Sequence, residues 1–262
     1  MIKRSKKKLQ NIAIVASAHK VGSTWIINIL KNTGVYEYSI VPEKFRTNIH
    51  NPRLLKLNHP DIDEFIHQVY PGRLFKSHSL PPTKRISDKA KVINIYRDPR
   101  DVIISNIFYL AGLERGKGGW PEIKEMNLKK RMKYYMARTH DDKLLENWHG
   151  YPDAYHISYE DMLKDPFKVM KGVLNYLNPG YNKRKLKKTV KSQNFEKVSK
   201  GRKRGVEDST SFFRKGVVGD WQNHFSDEII EFFVNHEKGK WNKLLVKLGY
   251  ETNNEWHSRY KG

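Results

Sequence analysis

Short apolar runs alternate with longer amphipathic stretches along most of this chain. Residues 11–16, 73–76, 92–96 and 154–157 predict buried strands, each followed closely by a turn or a helix start. Helical spacing covers residues 24–30, 101–113, 128–148, 162–177 and 227–236. This alternation predicts an α/β fold with a central parallel sheet flanked by helices. In such sheets, ligands bind beyond the carboxyl ends of the strands.

The length of 262 residues fits one sizeable domain. We interpret residues 1–10 as a basic N-terminal extension and residues 11–262 as that domain. Residues 200–220 are rich in Gly and Arg with little periodicity, which predicts a long loop. Loops of that length often act as lids or ligand clamps.

The charge balance of the chain favours an anionic partner. Fifty Lys and Arg against 28 Asp and Glu give a net charge of +22, which attracts nucleic acid, anionic membranes or phosphorylated small molecules. Composition does not choose among them, and a solvated basic surface accounts for most of the excess. The basic tracts 183–188 and 202–204 are therefore not expected to bind nucleic acid.

The absence of cysteine excludes disulfides, thiolate catalysis and Cys-ligated zinc. Residues 140–142, His-Asp-Asp, are consecutive on a predicted helix and cannot converge, so no metal is expected. No apolar run is long enough to cross a bilayer, and the basic N-terminus lacks the apolar region of a signal peptide. We therefore expect a cytoplasmic protein.

The first strand leads into a loop suited to bind phosphate. The sequence Ser17-Ala18-His19-Lys20-Val21-Gly22-Ser23-Thr24-Trp25 combines a Lys, a Gly and two hydroxyls at a helix start, where backbone N–H groups and the helix dipole favour anions. The alternative is an ordinary strand–helix turn capped by Ser23. The Walker A pattern would need Gly at position 17 and Lys at position 23, which argues against an ATPase or kinase.

Two further segments carry cations beside a predicted strand end or in the long loop. Residues 96–105, YRDPRDVIIS, place Arg97 at a strand end and Ser105 in the following helix, where a planar guanidinium and a hydroxyl suit a phosphate. Residues 214–225 read RKGVVGDWQNHF, in which Gly216 permits close backbone approach. Arg97 could instead form a surface ion pair, with Asp101 as an ordinary acid at a helix start.

Together these segments resemble the cytosolic-type sulfotransferases, which use 3′-phosphoadenosine-5′-phosphosulfate (PAPS). The phosphate loop is similar to the family's K-x-G-[ST]-T-W, and residues 96–105 to its Y-x-R-[ND]-x-[KR]-D-x-x-x-S. Residues 214–225 agree with all nine fixed positions of R-K-G-x-x-G-D-W-x-N-H-F. Weaker similarity is found at Tyr159-Glu160-Asp161-Met162 and at Phe195. The resemblance spans about residues 11–225.

The resemblance implies a role for each matching residue in binding PAPS or its product adenosine 3′,5′-bisphosphate (PAP). The 5′ phosphate is assigned to Lys20, Gly22, Ser23 and Thr24. The adenine is assigned to Trp25 and Tyr159, with Phe195 on its opposite face. The 3′ phosphate is assigned to Arg97, Ser105, Arg214, Lys215 and Gly216.

The resemblance also implies the catalytic residues. Residues 75–81, FKSHSLP, are similar to the family's P-K-T-H-L-P, which makes His78 the general base on the acceptor. Lys76 would stabilise charge on the transferred group, and Lys20 charge on the leaving oxygen. Chemically, an unactivated hydroxyl needs a base that is mostly neutral near pH 7, and His fits. The expected acceptor is a small molecule with a hydroxyl or an amine.

One family motif is degraded here. In the dimer motif K-x-x-x-T-V-x-x-x-E, Gln222, Ser226 and Asp227 replace the K, T and V, and only Glu231 fits, so that dimer is not predicted. Two other functions remain open from the residues alone. They are a P-loop phosphotransferase or kinase and a basic nucleic-acid-binding module.

Overall fold

The computed structural model describes residues 11–48, 51–112 and 121–260. The basic extension predicted for residues 1–10 lies outside this part of the chain. The described residues belong to two compact units. The sheet unit comprises the chain up to Tyr96 together with Asn147–Asn194, and the helical unit comprises Arg97–Glu146 with Phe195–Gly262. That residues 11–262 act as one domain stays a prediction.

The sheet unit contains a five-stranded parallel sheet with the order β2-β3-β1-β4-β5. The strands are β1 (Ile12–Ala16), β2 (Glu37–Tyr38), β3 (Arg73–Ser77), β4 (Ala90–Tyr96) and β5 (Ala154–Ser158). All five residues of the central strand β1 are fully buried, as expected for a parallel strand covered on both faces. The predicted parallel α/β sheet is therefore confirmed, and the four predicted strands are found within two residues of their expected ends.

Five helices of the sheet unit connect or follow these strands. They are α1 (Ser23–Asn32), α2 (Ile62–Gln68), α6 (Tyr159–Lys164), α7 (Pro166–Leu177) and α8 (Lys183–Ser192). Helix α1 ends at Asn32, two residues before Gly34, whose φ of +70° is favourable for glycine. The single helix predicted over residues 162–177 is wrong, because Pro166 begins a new helix and Asp165 caps it through the Lys168 N–H.

The helical unit contains α3 (Pro99–Gly112), α4 (Leu128–Arg138), α9 (Phe195–Val198), α10 (Asp227–Asn235) and α11 (Lys240–Lys247). Helix α5 (Asp141–His149) begins in this unit and ends in the sheet unit. The continuous helix predicted over residues 128–148 is also wrong. Thr139 takes an extended conformation with ψ of 155°, and Asp141 then accepts a hydrogen bond of 2.5 Å from the Tyr135 hydroxyl. His140 consequently precedes α5 and does not belong to it.

Residues 199–219 form turns and bends without a regular element, so the predicted long loop is confirmed. Its backbone is held by Arg202, which donates to the carbonyl oxygens of Val206, Phe213 and Arg214. A 3₁₀ helix at Asp220–Asn223 then ends the loop. One guanidinium therefore holds three carbonyl groups of the loop backbone.

Candidate active site

The phosphate loop connects β1 to α1 at the carboxyl edge of the sheet. Its backbone enters the left-handed region twice, at Lys20 with φ of +57° and at Gly22 with φ of +99°. Gly22 precedes the first helical residue, Ser23, so the N–H groups of the first helical turn face the loop. The alternative of a Ser23 cap is not what the structure shows, because the cap position is Gly22.

Gly22 is required by space as well as by φ. A Cβ added there would lie 2.8 Å from Cδ2 and 3.2 Å from Cε2 of Tyr159, the first residue of α6. The Tyr159 ring therefore packs directly against the loop backbone. It also meets Trp25 edge-on, with ring centroids 6.5 Å apart. The two predicted adenine-contacting residues of the sheet unit thus lie together beside the phosphate loop.

Lys76, near the end of the neighbouring strand β3, is directed towards the same loop. Its ammonium donates a hydrogen bond of 3.3 Å to the Thr24 hydroxyl. Burial lowers the pKa of Lys76 from 10.5 to about 8. With a pKa of about 8, the Lys76 ammonium is still mostly charged near pH 7. Because it lies next to a loop that favours anions, it is suited to stabilise charge on a bound anion.

His78 follows β3 and has its tautomer fixed by the backbone. Its Nδ1 lies 2.8 Å from the carbonyl oxygen of Ser17. Because a carbonyl oxygen only accepts, Nδ1 must carry the proton, and the lone pair of the neutral ring is on Nε2. His78 is half-buried, and the ring of His19 stacks on it with centroids 4.3 Å apart. This arrangement leaves Nε2 as the atom able to take a proton.

The remaining predicted residues belong to the helical unit, where Arg97 precedes α3. Its guanidinium donates 2.9 Å to the carbonyl oxygen of Val217 and contacts Asp101 at 3.3 Å. Asp101 is fully buried and accepts the backbone N–H groups of Gly219 (2.8 Å) and Trp221 (3.0 Å). The predicted motif at residues 96–105 is thus joined to the predicted motif at residues 214–225 through Asp101. Half-buried Ser105 lies one turn further along α3.

Asp220 organises the cations of the long loop. It accepts hydrogen bonds from Lys215 at 2.5 Å and from Arg214, whose guanidinium also pairs with Glu207 at 2.9 Å. Burial favours the protonated form of Asp220, but hydrogen bonds from His224, Lys215 and Arg214 outweigh it and hold its pKa well below the ordinary value. Lys215 and Arg214 are therefore held side by side by one carboxylate.

Phe195, at the start of α9, packs against the backbone of Gly216. A Cβ at Gly216 would lie 2.3 Å from Cδ2 of this ring, and the Gly216 φ is +69°. The guanidinium carbons of Arg202 and Arg204 lie 5.2 and 5.6 Å from the ring centroid, within the range of cation–π attraction. The helical unit therefore brings together Phe195, Arg214, Lys215 and Gly216, as well as Arg97 through Val217.

Sequence reasoning missed the roles of three residues. Asp101 was interpreted as an ordinary acid at a helix start, yet it accepts hydrogen bonds from the loop backbone. Asp220 was matched only as a position of the motif, yet it pairs with both Arg214 and Lys215. His19 was not considered, because the motif begins at Lys20. A signal existed only for the two acids, since each stands within a motif that also contains cations.

The described residues contain neither a candidate metal cluster nor a candidate membrane-spanning helix. In residues 11–48, 51–112 and 121–260, no group of three or more His, Cys, Asp or Glu side chains is placed to hold a metal ion. Over the same ranges, no helix combines the length and apolar character needed to cross a membrane.

Comparison with known proteins identifies the family. The sulfotransferase domain model matches residues 10–244, so the chain belongs to the sulfotransferase family. Sulfotransferase 1A1 of Rattus norvegicus is 26% identical over 85% of this chain and 82% of its own length. Cytosolic sulfotransferase 17 of Arabidopsis thaliana is 27% identical over 86% of this chain and 72% of its own length. The predicted family and enzyme class are confirmed, and the phosphotransferase and nucleic-acid-binding alternatives gain no support.

Solved structures agree on the fold. Mouse sulfotransferase SULT7A1 complexed with PAP superposes with a TM-score of 0.62 at 19% identity, covering 96% of this chain and 89% of that one. Retinol dehydratase in complex with androsterone and PAP gives a TM-score of 0.60 at 19% identity, covering 92% of this chain and 82% of that one. At this identity the likeness establishes the α/β sulfotransferase fold.

Proposed function

We propose that this enzyme transfers a sulfuryl group from PAPS to a hydroxyl or an amine of a small-molecule acceptor, with His78 as the general base. Family membership supports the transfer, and the three motifs support the donor. The names of relatives support the acceptor class: one is an amine sulfotransferase of Oryctolagus cuniculus, and retinol dehydratase was solved with retinol and with androsterone.

The side chains of the sheet unit fit the phosphosulfate end of this donor. Lys20, Ser23 and Thr24 offer one ammonium and two hydroxyls at a helix N-terminus, which is the donor set that an anion requires. The buried Nε1 of Trp25 has no hydrogen-bond partner among the described residues. The Trp25 and Tyr159 rings supply aromatic faces for a purine.

The helical unit offers what a 3′ phosphate requires. Arg214 and Lys215 are aligned by Asp220, and Gly216 lets the backbone approach closely. The buried Nε of Arg214 has no hydrogen-bond partner within the described part of the chain. Arg97 and Ser105 add a planar cation and a hydroxyl. We therefore assign PAPS as cosubstrate and PAP as product.

In the reaction, PAPS supplies the sulfuryl group. His78 Nε2 takes the proton of the acceptor hydroxyl while the acceptor oxygen forms its bond to sulfur. Lys76 stabilises negative charge on the transferred group. Lys20 stabilises charge on the leaving phosphate oxygen, which keeps the electron pair of the broken bond. Thr24, hydrogen-bonded to Lys76, holds that ammonium beside the loop.

The fixed tautomer of His78 is the single observation that carries the assignment. Other histidines of this chain contact carboxylates, as exposed His67 does with Asp63. His78 instead donates Nδ1–H to the backbone of the phosphate loop and keeps Nε2 as the acceptor. A general base needs that combination of a defined tautomer and a position beside the donor site.

The test compares His78→Ala with His67→Ala, a matched change at an exposed histidine of α2. PAP should raise the melting temperature of the wild type and of both variants equally without added metal. With labelled PAPS and a library of phenols, alcohols and amines, His78→Ala should lose about 100-fold or more in turnover. Retained turnover in His78→Ala would refute the base assignment, and no response to PAP would refute the donor.

Two further expectations concern the setting of the enzyme. The name of the plant relative, cytosolic sulfotransferase 17, supports a cytoplasmic location. The degraded dimer motif at Gln222, Ser226 and Asp227 argues against the animal-type dimer, and sedimentation analysis of the purified chain would test this.

A further inference from the structure

A second imidazole lies against the proposed base. The rings of His19 and His78 are stacked, with centroids 4.3 Å apart and an interplanar angle of 29°. His19 is exposed, whereas His78 is half-buried. His19 lies two residues after Ser17, whose carbonyl oxygen accepts the Nδ1–H of the same His78 ring. The loop therefore contacts this ring twice, once at its edge and once on its face.

The backbone fixes where His19 lies. The Ser17 N–H donates to the Ser77 carbonyl oxygen at 3.1 Å, which ties the loop to β3 one residue before His78. Directly after His19, Lys20 takes a φ of +57°, a conformation that costs a non-glycine residue about 1 kcal/mol. The position of His19 is thus set by a hydrogen bond on one side and a backbone reversal on the other.

One hydrogen bond does not fix the plane of an imidazole ring. The ring can still turn about its bond to Cβ, which breaks the bond from Nδ1–H to the Ser17 oxygen for part of the time and carries Nε2 away from the acceptor. A ring stacked on the face of His78 opposes this rotation, since offset stacking is favourable only when the planes stay nearly parallel.

We propose that His19 is a positioning residue that holds the His78 ring in its productive plane by stacking. This inference rests on the proposed function of His78 as base. It assigns His19 no proton transfer, so the aromatic face is the property that matters.

The kinetics of His19→Ala and His19→Phe distinguish a role of the aromatic face of His19 from a role of its titratable nitrogens. With the acceptor that the wild type turns over fastest, His19→Ala should lower kcat about threefold to tenfold and leave the KM for PAPS unchanged. His19→Phe should restore most of the loss, because it keeps the ring without a proton site. If His19→Phe is as impaired as His19→Ala, or if His19→Ala equals the wild type, the proposal is overturned.

A measurement without an acceptor keeps this test independent of the proposed function. Long-range ¹H–¹⁵N spectra of the histidine rings, with the His78 signals assigned from His78→Ala, report the tautomer directly. The wild type and His19→Phe should show one Nδ1–H tautomer, whereas His19→Ala should show averaging of the two tautomers. An unchanged spectrum in His19→Ala overturns the positioning role. Absence of sulfuryl transfer by the wild type would instead overturn the proposed function.

Discussion

Replacing Gly216 with Ala tests how firmly the loop backbone and Phe195 are packed together. Ala at a φ of +69° costs about 1 kcal/mol relative to Gly. Its Cβ would also lie 2.3 and 2.5 Å from Cδ2 and Cε2 of Phe195, so the ring must move. Phe195 is only 8% exposed and has two guanidinium groups over it, and such overpacking costs about 1–3 kcal/mol. Gly216→Ala should therefore lose about 2–4 kcal/mol of unfolding free energy.

Gly219→Ala is the matched control. Its φ of +75° carries the same backbone penalty, but no described atom outside its immediate chain neighbours lies within 4 Å of an added Cβ. We expect a loss of about 1 kcal/mol in urea unfolding, against about 2–4 kcal/mol for Gly216→Ala. Calorimetric titration with PAP should also show weaker binding for Gly216→Ala, because Phe195 is displaced. Equal destabilisation of both variants would show that Phe195 yields freely, and the packing argument would then be wrong.

Three further predictions, with four variants, follow from the charges of the two units. The depressed pKa of Lys76 means that the unfolded chain binds the proton of this lysine more tightly than the folded chain does. Below pH 8 the buried charge therefore lowers the unfolding free energy. This loss is relieved as pH rises from 8 towards 10.5. Between pH 8 and 10 the unfolding free energy of the wild type should rise relative to that of Lys76→Met, and parallel curves would contradict the buried ammonium. Asp220→Asn should lose about 3 kcal/mol at pH 7, because Arg214 and Lys215 lose their shared carboxylate. The low pKa of Asp220 stabilises the fold above pH 3.8. In chemical denaturation, the difference in unfolding free energy between the wild type and Asp220→Asn should therefore shrink as pH falls below 4. A difference that stays constant would argue against the ion pairs. Arg97→Ala and Lys215→Ala should each weaken PAP binding and flatten its salt dependence in calorimetry, while unchanged affinity would remove these residues from the donor site.

The central strands were predictable because burial on both faces leaves a short and mostly apolar run, as in β1 and in residues 92–95 of β4, where Asn94 is the one polar residue. The helix boundaries were less so. Pro166 carried a boundary signal that periodicity concealed, whereas the break at Thr139 depends on a hydrogen bond from Tyr135 to Asp141 that only the fold reveals. The basic tract at residues 183–188 proved to be the start of helix α8, whose buried Leu186, Thr189 and Val190 were outweighed by charge in the sequence pattern.

The sequence by itself determined the three motifs, because each motif is local and its spacing already encodes a loop, a helix start or a strand end. Only the tertiary structure decided how those side chains are held. The tautomer of His78 depends on Ser17, 61 residues away, and the alignment of Arg97 with its loop depends on contacts across 120 residues. Stacking of His19 on His78 likewise requires β1 and β3 to lie side by side. Contacts of this kind form only when distant segments pack together, so no local pattern of residues encodes them.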